Sequence, residues 1–454
     1  MTDKEPISRR AFLSGIAMAG TAGAIGTGSL FTSCRKEGNQ ADLPPLKPEA
    51  EWNIPDHLPD KAIEGVPLKV GLIGCGRRGA GAITDLFKAA SGISVVALGD
   101  VFQDKIDEVR KLLKDKLGQS VPDGSCFTGF DSYEKVIQSG VDMVILATPP
   151  AFRPQHFKAA VEAGKHAFLE KPVAVDPVGV RSIIATSKTA VSKGLAVITG
   201  TQRHHNRSYI EGYKQIQRGM IGEIISATVC WNTGSHWLRK KNPRWTDMEW
   251  MLRDWGNWTW LSGDHIVEQH IHNLDVFNWF SGKKPVKAVG IGARQRRLTG
   301  DQYDIFSIDY TYEGEVHVHS MCRQIDGCSN NIFEYIQGTK GSWTNKGIIK
   351  DLEGNVVWKY DKEYEKSHYT QTNPYVLEHV NWINHIRNKR TICQAEESAI
   401  STLTAIMGRI SAYTGREVSW EEMLASGLDL LPEDLSLRNL DMSAYPIPVP
   451  GKGK

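Results

Sequence analysis

Hydrophobic runs of two kinds divide the chain. From about residue 68, short apolar runs alternate with stretches of helical periodicity: LKVGLIG, a helix from about Arg78 to Ala90, ISVVALGD, a helix through DKIDEVRKLLKDKL, VDMVILAT, FKAAVEAG and HAFLE. Short apolar strands separated by amphipathic helices predict a parallel, doubly wound sheet. The run AVITGTQ at 196–202 is its expected last strand.

After Gly222 the pattern changes to longer runs in which apolar and polar residues alternate. Examples are EIISATVCW, KAVGIGARQRR, FSIDYTYE, EVHVHSMCRQ and FEYIQGTKGSW. A period of two over such runs predicts one large open sheet, mostly antiparallel. Two helical stretches, about 374–389 and 395–414, follow the sheet, and 417–454 forms a tail that contains prolines.

The first 34 residues fit neither pattern. The charged start MTDKEPISRR precedes small and apolar residues that run to Ser33-Cys34, which predicts an export signal. Arg9-Arg10 resembles the twin-arginine signal, which carries folded proteins to the periplasm, although Sec signals also contain such pairs. LFTSC loosely resembles a lipoprotein cleavage box, so Cys34 is either a lipid anchor or an incidental cysteine. Residues 35–65 contain several prolines and predict a linker and irregular arm.

Composition narrows the class of partner. The 454 residues are 41% hydrophobic and carry a formal charge of +2, which indicates a globular protein of about two domains without a basic surface for nucleic acid or acidic membrane. The six other cysteines show no CxxC spacing, so neither a zinc site nor a disulfide framework is indicated. Buried free thiols are expected, and Cys322 with Cys328 is the pair to examine for a bridge.

A glycine-rich turn follows the first strand. Gly74-Cys75-Gly76-Arg77-Arg78-Gly79 matches GxGxxG between an apolar strand and a helix, which is the context of a dinucleotide site. Glycines allow the tight turn and close approach of the backbone to a pyrophosphate. The fold class is therefore an N-terminal Rossmann dinucleotide-binding domain at 66–200, followed at 201–416 by an α/β domain with the open sheet.

Asp100 ends the second strand, where a carboxylate can bind the adenine-ribose hydroxyls. Because a carboxylate repels a 2′-phosphate, NAD is favoured over NADP, although Arg77 or Arg78 could offset that repulsion. Asp100 can also cap the following helix.

The segment TPPAFRPQHFKAAVEAGKHAFLEKPVAVD at 148–176 resembles the Gfo/Idh/MocA family of NAD(P)-dependent sugar and polyol oxidoreductases, and the resemblance covers roughly 66–415. It implies that Lys171, in the triplet Glu170-Lys171-Pro172, lies beside the nicotinamide and the substrate hydroxyl. Glu170 and the turn arginines Arg77 and Arg78 are also expected to contact the cofactor. The resemblance also implies that Thr148-Pro149 lines the cofactor, and that the protein forms dimers or tetramers.

A third stretch, GDHIVEQHIHNLDVFNWFSG at 263–282, departs from the usual family pattern Asp-x-x-x-His-x-x-Asp. Glu268 replaces the first aspartate, and His270 stands where a small residue is usual. Helical spacing places positions 268, 272, 275 and 279 on one stripe, beside an apolar stripe of Val267, Ile271 and Leu274.

The resemblance implies that His272 is the catalytic acid or base, with Lys171 as its partner and Glu268 in support. A buried structural histidine is the alternative. His265, His270 and Glu268 could instead suggest a metal, although oxidoreductases of this family generally need none.

The substrate side is predicted from residues after the last Rossmann strand. Gln202, Arg203 and His204, together with Asp275, are the candidate substrate contacts. Seven tryptophans at 231–260, interrupted by basic residues, suggest a carbohydrate pocket, while core packing or dimer contacts would explain many of them.

Three functions follow as hypotheses. The first is an exported NAD-dependent oxidoreductase acting on a sugar or glycoside hydroxyl, with a tightly bound cofactor because free NAD is scarce outside the cytoplasm. The second is a redox-neutral NAD-dependent glycoside hydrolase, in which transient oxidation acidifies a neighbouring C–H and permits elimination. The third is a non-catalytic sugar-binding protein.

Overall fold

The first pattern forms a parallel sheet in the computed structural model, which describes residues 52–55, 57–235 and 237–452. Its main strands are β1 (Leu68–Ile73), β2 (Ile93–Asp100), β3 (Cys126–Thr128), β4 (Met143–Leu146), β5 (His166–Leu169) and β6 (Ala196–Thr199). The spatial order is β6-β5-β4-β1-β2-β3. Every residue of β4 and β6 is buried, as expected of apolar strands covered by helices on both faces.

The second pattern forms a larger sheet, with the alternating burial that the sequence predicts. Its strands are β7 (Ile224–Thr233), β8 (Pro285–Ala293), β9 (Ile305–Tyr312), β10 (Val316–Gln324), β11 (Asn331–Gly338), β12 (Gly341–Thr344), β13 (Ile348–Asp351) and β14 (Val356–Lys359). The order is β14-β13-β12-β11-β7-β10-β9-β8. β7 pairs in parallel with β10, whereas its pairing with β11 is antiparallel, so the predicted mostly antiparallel sheet is confirmed.

Two short strands extend these sheets. β15 (Ile392–Cys393) pairs with β6 in the parallel direction, and β16 (Val418–Ser419) pairs with β8 in the antiparallel direction. With them, the described part of the chain contains a seven-stranded parallel sheet and a nine-stranded mixed sheet. β15 comes from far beyond the first domain in sequence, so the last Rossmann strand predicted at 196–202 is not the edge of its sheet.

Helices cover the sheets and join them. They are α1 (Arg77–Ala89), α2 (Gln103–Leu117), α3 (Ser132–Gln138), α4 (Arg153–Glu162), α5 (Pro177–Ser192), α6 (Arg207–Gln217), α7 (Asp247–Arg253), α8 (Thr259–Ser262), α9 (His265–Glu268), α10 (Ile271–Ser281), α11 (Lys362–His368), α12 (Pro374–Arg387), α13 (Ala395–Thr414) and α14 (Trp420–Ala425). The long helix α13 packs on α5 of the first domain and on β8 of the second. It therefore fixes the two sheets relative to each other.

The predicted arm and tail both pack on the domains. The described residues of the arm, 52–55 and 57–67, have no helix or strand, yet Leu58 and Ala62 join the main core. The leucines at 430, 431, 435 and 440 pack on a smaller apolar cluster that contains Met248 and Trp260. The predicted export signal at 1–34, with Arg9, Arg10 and Cys34, lies outside the described residues.

The described cysteines are free, so the expected free thiols are confirmed and Cys322 and Cys328 form no bridge. Cys322 is buried inside the sheet whereas Cys328 is exposed, which is a correction to the expectation of burial. Among the residues with described structure, no helix has the length and apolar character needed to span a bilayer.

Candidate active site

The strand order of the parallel sheet reverses at β1. Strands β2 and β3 lie on one side of β1, and β4, β5 and β6 lie on the other. Ligands of open α/β sheets bind in the crevice beyond the carboxyl ends of strands at such a reversal. Because β2 and β5 are three strand spacings apart, Asp100 and Lys171 are separated along the sheet edge by about 14 Å.

The glycine turn is shaped by close backbone approach. Gly74 has φ +94, and a Cβ there would lie 2.6 Å from the backbone of Ala147 and Thr148. A Cβ at Gly79 would lie 2.0 Å from the Gly74 oxygen. At Gly76, by contrast, no described atom comes within 4 Å of the Cβ position. The turn is therefore tight on its inner side and open where a pyrophosphate would approach, which fits a dinucleotide.

Asp100 is fixed against this turn. Its Oδ2 accepts a hydrogen bond from the Cys75 amide at 2.7 Å, and its Oδ1 accepts one from the Phe102 amide at 3.0 Å. Burial raises the pKa of Asp100, and these two amides oppose that rise. Each carboxylate oxygen has a second lone pair for a ribose hydroxyl.

The two arginines of the turn have different surroundings. Arg78 is held by Glu170 through Nε, by Glu378 at 3.2 Å and by Asp85 at 3.4 Å. These contacts direct it towards the β5 side of the turn, away from Asp100. Arg77 is exposed. Arg78 and Glu170 thus satisfy each other, so their predicted contact with the cofactor stays a prediction, and Arg77 is the arginine left to meet a 2′-phosphate.

Thr148 and Pro149 follow β4 directly, beside the glycine turn. Thr148 Oγ1 lies 3.2 Å from His156 Nδ1, and Pro149 precedes a 3-10 turn at Pro150–Phe152. The Thr148 amide nitrogen would lie 2.6 Å from a Cβ at Gly74. The pair therefore lies beside the glycine turn, and its contact with the cofactor stays a prediction.

Lys171 joins the two domains at the end of β5. Its peptide bond to Pro172 is cis, and its Nζ donates to the carbonyl oxygen of Glu268 and lies 3.2 Å from Glu268 Oε1. An ammonium has three N–H donors. Two are directed at Glu268, and the third is not used in these contacts.

The helical stripe predicted through positions 268, 272, 275 and 279 is interrupted, and this is a correction. α9 ends at Glu268 and α10 begins at Ile271. The physical reason is that the Glu268 carbonyl accepts the Lys171 Nζ hydrogen bond instead of continuing a helical ladder. His272, Asp275 and Trp279 stay on one stripe of α10, and Val267, Ile271 and Leu274 are buried as predicted.

His272 lies in this region as a neutral imidazole. Its side chain is 6% exposed and stacks on Trp231, with ring centroids 5.8 Å apart. Burial, followed by the positive charges of Lys171 and Arg203, lowers the pKa of His272 well below its ordinary value. A neutral ring nitrogen can accept a proton at neutral pH.

Arg203 and Trp231 form the wall next to His272. The Arg203 guanidinium pairs with Glu334 and lies 5.8 Å from the Trp231 ring. Trp231 Nε1 donates to Gln269 Oε1 at 3.1 Å. Glu334 was not predicted from the sequence, although its place on the buried face of β11, in step with Ile336, is a signal that could have identified it.

Two other predicted substrate contacts are buried. His204 and Asp275 are 0% and 1% exposed, and His204 Nε2 lies 2.7 Å from Asp275 Oδ2. Gln202 begins the same 3-10 turn as His204 and is half-buried. Because neither His204 nor Asp275 reaches the surface, their direct contact with substrate stays a prediction, and the geometry gives them a supporting position.

The two histidines whose role the sequence left open have separate partners. His265 Nδ1 lies 3.0 Å from Asp264 Oδ1, and His270 Nε2 lies 2.7 Å from Ser320 Oγ. Burial lowers the pKa of His270 to about 3. Within 52–55, 57–235 and 237–452, no group of three or more His, Cys, Asp or Glu side chains is arranged to hold a metal ion.

The tryptophan-rich segment divides between packing and the site. Tryptophans 250, 255, 258 and 260 belong to the smaller apolar cluster beneath the tail. Trp237 is 36% exposed. Trp231 is the one that stacks on His272, so the packing explanation accounts for the larger share of these residues.

Two family models match the chain over most of its length. The Gfo/Idh/MocA model described as "Oxidoreductase family, NAD-binding Rossmann fold" matches residues 68–201. A second, "Oxidoreductase family, C-terminal alpha/beta domain", matches residues 213–420.

Individual proteins resemble the chain more distantly. A glycosyl hydrolase family 109 protein of Streptomyces coelicolor is 28% identical over 236 residues, 50% of this chain and 45% of that protein. An inositol 2-dehydrogenase/D-chiro-inositol 3-dehydrogenase of Lactiplantibacillus plantarum is 25% identical over 212 residues, 46% of this chain and 51% of that protein. The chain thus spans about half the length of these curated relatives.

One solved structure is the scyllo-inositol dehydrogenase of Lactobacillus casei with NAD(H) and scyllo-inositol. It has a TM-score of 0.58 at 20% identity and covers 78% of this chain and 99% of its own. At this identity the likeness shows the fold.

Proposed function

Because the chain belongs to the Gfo/Idh/MocA oxidoreductase family and binds NAD in its Rossmann domain, we propose that it oxidises a hydroxyl-bearing carbon of a neutral sugar or glycoside. The observation that carries the proposal is the Lys171 ammonium, fixed by Glu268 beside the neutral imidazole of His272. These groups lie at the end of the crevice opposite Asp100.

Each group has a distinct task in this proposal. Lys171 uses its remaining N–H to orient the substrate oxygen and to stabilise the alkoxide as the hydroxyl proton leaves. His272 accepts that proton, because its ring stays neutral under the influence of burial and of Lys171. Bound NAD supplies the hydride acceptor. The glycine turn and Asp100 are the parts of the chain that would hold it.

The substrate class follows from the pairing of charges. Three cations near His272 each face a carboxylate, in the pairs Lys171–Glu268, Arg203–Glu334 and His204–Asp275. No cation of this set is left to neutralise an acidic sugar. The face of Trp231 offers an apolar surface for a sugar ring. A neutral polyhydroxylated ring fits this balance better than a uronate does.

Turnover of NAD tests the proposal. The purified protein is incubated with NAD and matched pairs of neutral glycosides and uronates, and NADH is followed by absorbance. We expect turnover with the neutral members, and Lys171→Met should lower kcat/KM by about 100-fold or more. Lys188→Met, on the exposed side of α5, is the matched control and should have no effect. Equal turnover of Lys171→Met and the parent protein would refute the assignment.

Redox-neutral glycoside cleavage is the second candidate, and the relative named glycosyl hydrolase family 109 protein supports it. The same Lys171 and His272 would serve it, because a sugar hydroxyl must still be oxidised transiently. Release of aglycone without accumulation of NADH would favour this reaction. NADH formed in proportion to oxidised sugar would favour the dehydrogenase.

Export is proposed from the sequence of residues 1–34, with the cofactor tightly held during passage to the periplasm. Arg9→Lys together with Arg10→Lys should retain the protein in the cytoplasm, as measured by cell fractionation. NAD(H) should be released on denaturing protein purified from the periplasm, and an empty protein would contradict tight binding.

A lipid anchor at Cys34 is tested by mass spectrometry, and a dimer or tetramer by light scattering.

A further inference from the structure

The arm that precedes the first strand is bonded to a buried carboxylate. The Asn53 amide N–H donates to Glu397 Oε1 at 2.8 Å, and Asn53 Nδ2 donates to the same atom at 2.5 Å. Asn53 Nδ2 also lies 3.2 Å from the Cys393 carbonyl oxygen, and Gln394 Nε2 donates to the Asn53 carbonyl at 2.9 Å. One arm residue thus makes four hydrogen bonds with β15, the first turn of α13 and the residue between them.

Glu397 depends on these bonds. It is 6% exposed, and its Oε2 has no hydrogen-bond partner among the described residues. Burial raises the pKa of Glu397 to about 7, and the opposing influences are His204 and Asn53. A buried carboxylate without these donors would take up a proton.

The arm and α13 both contact the His204–Asp275 pair, which adjoins His272 on α10. Trp52 meets the His204 ring edge-on at 5.7 Å, so the arm also covers this histidine. Burial opposes a charge on His204, yet Asp275 and then Glu397 raise its pKa above the ordinary value. Ser401 Oγ donates to Asp275 Oδ1 at 2.8 Å. Asp275 lies one turn beyond His272 on α10.

We propose that Asn53 is a positioning residue, which holds the Glu397 carboxylate where its charge acts on His204 and thereby supports the His204–Asp275 pair and the turn of α10 that presents His272. The part concerning His272 rests on the proposed function. The arm between the predicted export signal and the Rossmann domain is then a component of the active site's support.

The pKa of His204 depends on the charged and titratable groups around it. Asp275 lies on α10, Glu397 on α13, and His205 adjoins His204 in the chain. His272 is close enough for His204 to affect its pKa. Titration of the His204 ring, followed by NMR in histidine-labelled protein, therefore reports the state of this network without turnover.

Asn53→Ala is the test variant, and Asp60→Ala is the control on the same arm. Asp60 accepts hydrogen bonds from the Thr370 amide and hydroxyl and pairs with Arg207, so it shares no partner with Asn53. We expect Asn53→Ala to lower the pKa of His204 by about one unit and kcat by about tenfold. NAD affinity should be unchanged. Asp60→Ala should leave the titration of His204 and kcat as they are.

Glu397→Gln supplies a second line of evidence if Asn53→Ala folds poorly. It should lower the pKa of His204 in the same direction, and adding Asn53→Ala to it should have no further effect on that pKa. An unchanged His204 titration in both single variants would overturn the proposal, as would an equal shift in Asp60→Ala. A shifted titration with unaffected kcat would overturn the link to His272. Absence of sugar oxidation by the parent protein would refute the proposed function alone.

Discussion

Replacing Gly76 by alanine should separate cofactor binding from folding. Gly76 has φ −73 and ψ −176, which alanine adopts without strain, and its Cβ would face open space. Gly76 is the N-cap of α1, and its replacement by alanine, a poor N-cap residue, costs about 0.5 to 1 kcal/mol of folding stability. The reduced freedom of the unfolded chain returns about 0.4 to 1 kcal/mol. The two effects offset each other, so the melting temperature should change by less than about 2 °C.

Binding should respond differently to the same methyl group. A methyl placed where the pyrophosphate approaches a closely fitted backbone costs about 1 to 3 kcal/mol. That corresponds to an affinity about 5- to 150-fold lower. Isothermal titration with NAD and thermal unfolding of the cofactor-free protein measure the two quantities.

Gly79→Ala is the comparison variant. Its Cβ would lie 2.0 Å from the Gly74 oxygen, so it should lose both stability and affinity. If Gly76→Ala bound NAD within twofold of the parent protein, the open side of the turn would not face the pyrophosphate. If it unfolded as readily as Gly79→Ala, the geometry given for the turn would be wrong.

Four further outcomes are expected. His272→Asn should lower kcat about 100- to 10,000-fold with NAD affinity retained, and unchanged kcat would exclude His272 as the base. Because the pKa of His272 is far below 6.5, kcat/KM should hold as pH falls through 6.5, whereas a loss centred there would contradict a neutral buried ring. Asp100→Ala should raise the NADP-to-NAD preference at least about fivefold, since charges about 4 Å apart interact by about 1 to 4 kcal/mol; an unchanged ratio would refute the repulsion. The pKa of His270 is lowered to about 3 in the folded protein, so between about pH 6.5 and pH 3 its ring takes up a proton only in the unfolded chain. The free energy of unfolding should therefore fall as pH drops through this range, and less steeply in His270→Gln.

Much of the fold could be predicted from the sequence, because the hydrophobic pattern of each strand or helix lies within that element. Continuous apolar runs predicted β4 and β6, and alternation predicted β9 and β10. Burial on two faces or on one leaves those patterns in the sequence itself. β15 was missed because two residues are too short for any pattern, and it is defined by its pairing with β6.

The residues of the candidate site could be predicted from the sequence only where they belong to a recognisable motif. The glycine turn, Asp100 and Lys171 each lie at the end of a predicted strand or just after it, and parallel strands bring their carboxyl ends to one edge. Side chains that contact each other from distant parts of the sequence could not be paired by any local pattern. Arg78 meets Glu378 over 300 positions of sequence, and Asn53 meets Glu397 over 344.

The sequence by itself determined that a glycine turn, a carboxylate on the second strand and the Lys171 triplet would share one sheet edge, since strand periodicity and chain direction fix that arrangement. Only the tertiary structure decided how the charges are matched. Lys171 interrupts the predicted helix by binding the Glu268 carbonyl, Arg78 is withdrawn from Asp100 by carboxylates, and His204 is buried against Asp275. Burial makes an unmatched charge costly, and the partner that matches it is chosen by packing between distant segments, which no local pattern records.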